Sequence, residues 1–469
     1  MMKTYRILVI TGLLAAGMCF CMCATYAHAE PLARVVRPER PDTQDEPEYV
    51  ARTRMRTIAD WETTTDFSLS QMRTKIEAAA DALKDAQDGS TMGWAFYLPG
   101  GSTASNIYGV VGLGLLRAYN LTKTMTATVV TANKPEYLAA AEDTADAILA
   151  GSFPWQATDY TFLHYYAEVS GDSSYKTTAE SDLDSDIIDG NTPAEVADWL
   201  DSIDDGQGKL WQLANWVEVF QLYSESDYAD AVVDKIMDRY RTVGSGADKV
   251  GGFVYNTVDN YVRTLDQARV VEVLKRFYSS TYPTHIAEGL ALLKDLQYNN
   301  GYFRWGCQLN NATGRVTLFP SILVQDQAFA VKALAYNNQT TSTNFSNHFG
   351  THWAANALMD MQNTSGGFTL DPDPDESSEF PNVSEYNAEA LDALHASCGE
   401  GDVDRSGQLF PWDALDALKA YLGMIDLNGP ALVAADRDGD NQIAPADALA
   451  ILQASVGKAI EVNPGDNVQ

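Results

Sequence analysis

Between residues 67 and 396 two apolar patterns alternate along the chain. In the first, apolar residues return every three to four positions, and charges such as Lys75, Glu77, Asp81 and Lys84 gather on the opposite face. This pattern predicts amphipathic helices over roughly 67–87, 135–150, 173–187, 227–243, 283–298 and 344–362. In the second, as in Val110–Ala118 and Ala328–Ala335, the residues are apolar nearly all round. It predicts helices over roughly 103–121, 159–170, 209–224, 264–278, 324–337 and 385–397. The two kinds alternate, so the chain reads as six helical pairs. A helix wet on one face suits an outer layer, and a helix with no wet face suits an inner one.

Short echoes support a repeat. Leu265-Asp266-Gln267-Ala268 matches Gln325-Asp326-Gln327-Ala328. Gly251-Gly252-Phe253 and Gly366-Gly367-Phe368 each follow a first helix. Gln297 precedes Gly301-Tyr302-Phe303, Gln362 precedes Gly366, and Gln87 precedes Gly93-Trp94 in a looser copy. In a repeat of this size each pair buries its open face on the next. Six pairs closing into a ring resemble the (α/α)6 toroid, over about 330 residues. That fold houses secreted glycoside hydrolases, polysaccharide lyases and terpenoid cyclases. The resemblance implies an all-α toroid domain over 61–398 and names no substrate.

The first 29 residues read as a secretory signal peptide. Lys3 and Arg6 precede an apolar run from Ile7 to Cys23, and Ala27-His28-Ala29 forms a small-x-small cleavage site before Glu30. The apolar run is short for a membrane span. Cys19, Cys21 and Cys23 leave with the signal, so Cys307 and Cys398 allow at most one disulfide. Residues 30–60, with Pro31, Pro38, Pro41 and Pro47 among six arginines, read as a flexible leader.

The C-terminal segment, 399–462, carries a second, sharper repeat. Residues 402–423 and 436–457 match at an offset of 34. Each begins like an EF-hand loop, in which alternating acids surround one hard cation with oxygens. The expected calcium ligands are Asp402, Asp404, Ser406, Gln408 and Asp413 in one copy, and Asp436, Asp438, Asp440, Gln442 and Asp447 in the other. Gly407 and Asn441 fit the sharp turn at position six. Pro411 and Pro445 suit the entrance of a following helix. This duplicated loop-helix resembles a type I dockerin. The resemblance implies two bound calcium ions and a cohesin-type protein partner. Two departures stand out: Pro411-Trp412 and Pro445-Ala446 occupy loop positions ten and eleven, where family members often carry Ser-Thr-like pairs, and no long linker precedes the module.

Composition narrows the function. Asp and Glu number 64 against 32 Lys and Arg, a net charge of −32. Such acidity disfavours nucleic acid and anionic membranes and suits neutral or cationic partners. The mature chain holds no Gly-rich phosphate loop, His-Glu-x-x-His, Cys-x-x-Cys or Gly-x-Ser-x-Gly. Terpenoid cyclisation is discounted because a diphosphate substrate is not supplied outside the cell.

In a helical toroid the substrate site lies where the inner helices begin. Four acids sit there: Asp159, Asp266, Asp326 and Glu385. Glycoside hydrolysis needs two carboxylates across a cleft, so Asp326, with Asp159 or Asp266, is the catalytic expectation; an Asp at a helix start is also a common N-terminal cap. Trp94, Trp155, Tyr302, Arg304 and Trp305 in the loops are candidates for stacking on and holding sugar. A lyase would instead use Tyr160, His164, Tyr302 or Arg304. The expectation is a secreted protein that cleaves a polysaccharide, as hydrolase or lyase. The alternative is a non-catalytic glycan-binding or assembly protein with a degenerate toroid.

Overall fold

The computed structural model describes residue 67 and residues 69–98, 102–124, 134–151, 155–202, 210–245, 249–255, 260–298, 300–310, 314–337, 351–363, 365–368, 382–397, 411–425, 435 and 443–455. The expected signal segment and leader, and Cys398, lie outside the described residues.

Twelve helices form the six expected pairs. The outer members are α1 (Leu69–Asp85), α3 (Pro135–Ala150), α5 (Ser174–Asp182), α8 (Ser226–Met237), α10 (Pro283–Leu296) and α12 (Thr351–Asp360). Their inner partners are α2 (Tyr108–Thr124), α4 (Ala157–Ser170), α7 (Leu210–Leu222), α9 (Thr264–Tyr278), α11 (Val324–Tyr336) and α13 (Ser384–Ser397). Each inner helix packs on the next, α2 on α4, then α7, α9, α11 and α13, and α13 packs back on α2. The inner ring is therefore closed, and the fold is an α/α toroid. Leu113, Leu116, Ala330 and Leu334 are buried, as all-round apolar helices require.

Small residues let the ring shut. A Cβ on Gly109 would lie 2.4 Å from backbone atoms of Thr158 and Asp159, and one on Gly114 would lie 2.6 Å from the Cα of Ala388. Glycine at these two positions brings α2 against α4 on one side and against α13 on the other. The first and last pairs are also laced together. Strand β1 (Tyr97–Leu98) pairs with β7 (Asn382–Val383), and the Ser384 hydroxyl donates to the Ala95 carbonyl at 2.6 Å.

The repeated Gln-Gly-aromatic spacing has a structural cause. Gln297 and Gln362, just past α10 and α12, donate through Nε2 to the carbonyls of Gly301 and Gly366, at 3.0 and 2.6 Å. The Phe303, Phe253 and Phe368 N–H groups then donate to Gln327, Gln267 and Asn387 of the inner helices, at 2.8, 2.9 and 3.1 Å. These bonds pin each loop to the inner helix that follows, and satisfy backbone groups that would otherwise be buried unpaired.

The loops hold more structure than the helical pattern predicts. Residues 240–243, expected to continue α8, form β2 (Tyr240–Val243), which pairs with β3 (Val250–Phe253). Strands β4 (Tyr261–Arg263), β5 (Gly306–Asn310) and β6 (Arg315–Phe319) form a three-stranded antiparallel sheet. Their β-branched and aromatic residues lie on a half-buried surface that favours strand. An added helix, α6 (Pro193–Ser202), falls within the long loop expected after α5, and a π-turn, Leu183–Ile188, extends α5 itself. Among the described residues the sheets lie in the loops and none forms the core. No helix among the described residues is long and apolar enough to cross a membrane.

Helices α14 (Pro411–Tyr421) and α15 (Pro445–Ser455) pack on each other. Ala414 and Ala417 of one, with Ala448 and Ile451 of the other, make a small core closed by Ala435, Leu418 and Ile443. The two pairs are related by the same offset of 34 that relates the sequences.

Candidate functional site

The inner ring surrounds a cavity of about 860 Å³. That is within the usual range of about 300–1,000 Å³ for small-molecule sites. One wall is aromatic. Trp155, Tyr160, Trp211 and Trp216 line it, and the Tyr160 ring lies 5.2 Å from Trp155 and 5.6 Å from Trp216. The opposite wall is formed by α13 and α11, with Glu385, Glu389 and Phe329. From the side of α5 and its π-turn, Asp182 and Asp186 also reach the cavity, and Tyr160 donates its hydroxyl to Asp182 at 2.5 Å. π-turns recur at functional sites because they push a side chain out of helical register.

The bottom of the cavity is charged. Arg269 pairs with Glu218 and, at 2.7 Å, with Glu272. Arg276 reaches Glu218 at 2.7 Å and Glu272 at 3.2 Å. Lys332 pairs with Asp392 at 2.6 Å, and Arg117 reaches the same carboxylate at 3.1 Å. Burial opposes ionisation of Glu218, but Arg276, Arg269 and Lys332 outweigh it and hold the carboxyl well below its usual range. Burial likewise opposes ionisation of Asp392, and Lys332 and Arg117 outweigh it. Below them Arg117 lies over the Tyr165 ring at 4.4 Å and Arg276 over Tyr336 at 4.8 Å.

Glu389 differs from these. It is 6% exposed and accepts one hydrogen bond, from Gln325 Nε2 at 3.0 Å. Its other oxygen, Oε2, is buried with no hydrogen-bond partner. Burial, and then the neighbouring Glu385, push its pKa well above the usual carboxyl range; Gln325 and Lys332 pull only partly against this. A carboxyl that keeps its proton beside an aromatic-walled cavity is chemically a proton donor.

The aspartates expected to be catalytic stand elsewhere. Asp159, Asp266 and Asp326 are each the third residue of an inner helix, and none lines the cavity. Each accepts the N–H of the second residue of the preceding inner helix. Asp159 takes Gly109 N–H at 2.7 Å, Asp266 takes Trp211 N–H at 3.0 Å, and Asp326 takes Leu265 N–H at 2.9 Å. Asp159 also accepts from Gln156 N–H at 2.7 Å, and Asp266 from Arg263 Nε at 2.6 Å. Burial pushes Asp159 up to about 7 and Asp326 up to about 8. The repeated Asp thus ties neighbouring inner helices together at their orphan N-terminal donors.

Of the expected sugar contacts, Trp155 lines the cavity. Trp94 and Tyr302 are fully buried, with the indole N–H on the Leu83 carbonyl at 2.7 Å and the phenol on Asp360 at 2.8 Å. Arg304 lies over the Tyr298 ring at 3.7 Å, and Trp305 packs on Phe319 at 5.4 Å. His164 is a buried side chain against Tyr165 and Tyr223. Glu389, Glu218 and the cations around them were not among the expected site residues. Their signal was present: Arg269, Glu272 and Arg276, like Glu385, Glu389 and Asp392, recur at helical spacing on otherwise apolar inner helices.

In the C-terminal repeat, Asp413 and Asp447 are buried in the first turns of α14 and α15, and Ala444 N–H donates to Asp447 at 2.8 Å. The other eight expected ligands, Asp402, Asp404, Ser406, Gln408, Asp436, Asp438, Asp440 and Gln442, lie outside the described residues. Among the described residues no cluster of three or more His, Cys, Asp or Glu is arranged to hold a metal.

Several solved structures are similar to the chain at low identity. One is a possible member of the GH105 family from Salmonella enterica serovar Paratyphi A, at 11% identity over 70% of this chain and 94% of that one, with a TM-score of 0.42. Another is the type II terpene cyclase MstE from Scytonema, at 13% identity over 71% of this chain and 99% of that one, with a TM-score of 0.43. A third is the GH76A α-1,6-mannanase from Salegentibacter, at 10% identity over 69% of this chain and 98% of that one, with a TM-score of 0.33. Likenesses this distant carry no argument about activity, and the toroid assignment rests on the helix order given above. No family model and no curated protein matches the chain.

Proposed function

We propose that this chain is an exported glycoside hydrolase for a neutral polysaccharide, carried by a calcium-stabilised docking module. The observation that carries the enzymatic reading is Glu389, a buried carboxyl with a raised pKa and a free oxygen, on the wall of an aromatic-lined cavity. In this reading Glu389 protonates the departing glycosidic oxygen. Asp182, which accepts the Tyr160 hydroxyl, is the second carboxylate, and Trp155, Trp211 and Trp216 stack on sugar rings. Asp159, Asp266 and Asp326 act as caps that hold the ring.

Charge favours hydrolysis over lyase chemistry. Among the described residues six acidic side chains line the cavity, namely Asp182, Asp186, Glu218, Glu385, Glu389 and Asp392, against Arg269 and Lys332. Both cations are already paired with carboxylates. A uronate would be repelled, and among the described residues of this lining both cations are engaged by carboxylates rather than left for it. The purified protein, offered mannan, xylan and β-glucan beside pectate and alginate, is expected to raise reducing ends on a neutral glycan without ultraviolet absorbance from an unsaturated product. Unsaturated products, or binding without turnover on every glycan, would refute this reading.

The C-terminal segment is assigned two calcium ions, held by the ten ligands named above, and a cohesin-type partner. Support comes from the repeated acidic loops and from the buried carboxylates of Asp413 and Asp447 at equivalent places. Trp412, Leu415, Leu449 and Leu452 add exposed apolar side chains for a partner to cover. Without metal, repulsion among the loop acids disfavours closure, so calcium stabilises the module by mass action. EGTA is therefore expected to speed proteolysis within residues 400–460 of the full chain, and added calcium to reverse it. An unchanged cleavage rate would rule the metal out.

A further inference from the structure

We infer that the axial site is a blind well that admits the end of a glycan chain and releases one sugar at a time. This rests on the hydrolase reading and adds the mode of attack. The warrant is a layer that crosses the bore. The ninth residues of α4, α7, α9, α11 and α13 are Tyr165, Glu218, Glu272, Lys332 and Asp392, and the tenth of α2 is Arg117. All six inner helices thus place one polar side chain at the same depth.

These groups bind each other laterally. Arg117 and Lys332 share Asp392, Lys332 lies 3.9 Å from Glu272, and Tyr165 donates to Glu218 at 3.3 Å. Arg276 bridges Glu218, Glu272 and the Tyr165 hydroxyl. The ion pairs are buried, so moving the layer aside for a passing chain would leave several charges unpaired in the core. It is a floor, not a gate.

The height of Glu389 above that floor sets what fits. Glu389 is three residues before Asp392 on α13, a rise of roughly 4.5 Å at 1.5 Å per residue. Glu385, the first residue of α13 in the lining, is seven residues before Asp392, so the lining on this helix spans about 10 Å. The rise from Glu389 to the floor is shorter than two linked sugar rings, so in this reading a chain that reaches Glu389 cannot continue past the floor. A bond protonated by Glu389 is therefore the terminal one. In hydrolysis the C1–O bond breaks, the oxygen of the departing sugar takes the Glu389 proton, and water supplies the hydroxyl at C1 and returns the proton.

The test uses the full chain with hexasaccharides of mannan, xylan and β-glucan labelled at the reducing end, each also made with its non-reducing terminus capped by a benzylidene group. On the responsive glycan, the expected first products are monosaccharide and pentasaccharide alone, and one of the two termini is required to be free. Labelled di-, tri- and tetrasaccharides appearing together from the start would overturn the well while leaving the hydrolase reading intact. No cleavage of any hexasaccharide, together with no new reducing ends on the parent polymers, would overturn both.

Discussion

Glu389→Gln is expected to lower turnover on the responsive glycan by about 10²–10⁴-fold, the usual contribution of a positioned general acid. The amide keeps the acceptor for Gln325 Nε2 and nearly the same volume, so the packing of α13 on α11 stays as it is. It cannot give up a proton. The wild-type rate should fall as pH rises through the raised pKa of Glu389, because the donor is then lost. In the variant that alkaline limb should disappear. Asp326→Ala is the control. It removes the acceptor for the Leu265 N–H, costs about 1 kcal/mol of stability as a lost cap, and leaves turnover in place. Turnover and thermal unfolding measured on both variants decide the matter. A fully active Glu389→Gln, or an Asp326→Ala that is folded and inactive, would reverse the assignment.

Arg269→Met should destabilise the toroid by about 3–5 kcal/mol, as expected when one partner of a buried ion pair is removed. Methionine preserves most of the apolar stem but leaves Glu218 with Arg276 as its remaining close cation and strips Asn215 of the donor it holds at 2.7 Å. The effect should depend on pH with a definite sign. The folded pKa of Glu218 is depressed, so its pairing adds stability above the ordinary carboxyl pKa and loses it as pH falls toward the folded value. Wild type should therefore weaken on acidification below about pH 4.5, and the variant should weaken less over the same window. Urea unfolding at a series of pH values reads both quantities. Equal stability of the two proteins at neutral pH would show that the floor is not held by these charges.

Much of the architecture is legible in the chain. The strict alternation of one-sided and all-round apolar helices follows from what each layer must bury, so six pairs and an inner ring can be read from period alone. The Gln-Gly-aromatic echo is equally readable as a repeat, and Gln297, Gln362, Gln267 and Gln327 turn out to be its hydrogen bonds. Strand content in the loops was missed because β2 and β6 are short and decided by their neighbours across the pairing.

The site divides differently. An Asp at the third position of an inner helix is visible in the sequence, and so is its local capping chemistry. That Asp159, Asp266 and Asp326 each reach the N–H of the preceding inner helix depends on how closely the ring packs, which residue spacing does not report. The sequence by itself determined the layer of each helix, the repeat and the acidic loops of the C-terminal segment, since these are set by period and local residue type. Only the tertiary structure decided that Glu389 is buried from water while Glu218 stands between two arginines. Protonation follows the charges and burial that six separate helices bring to one point, and no stretch of chain contains that information.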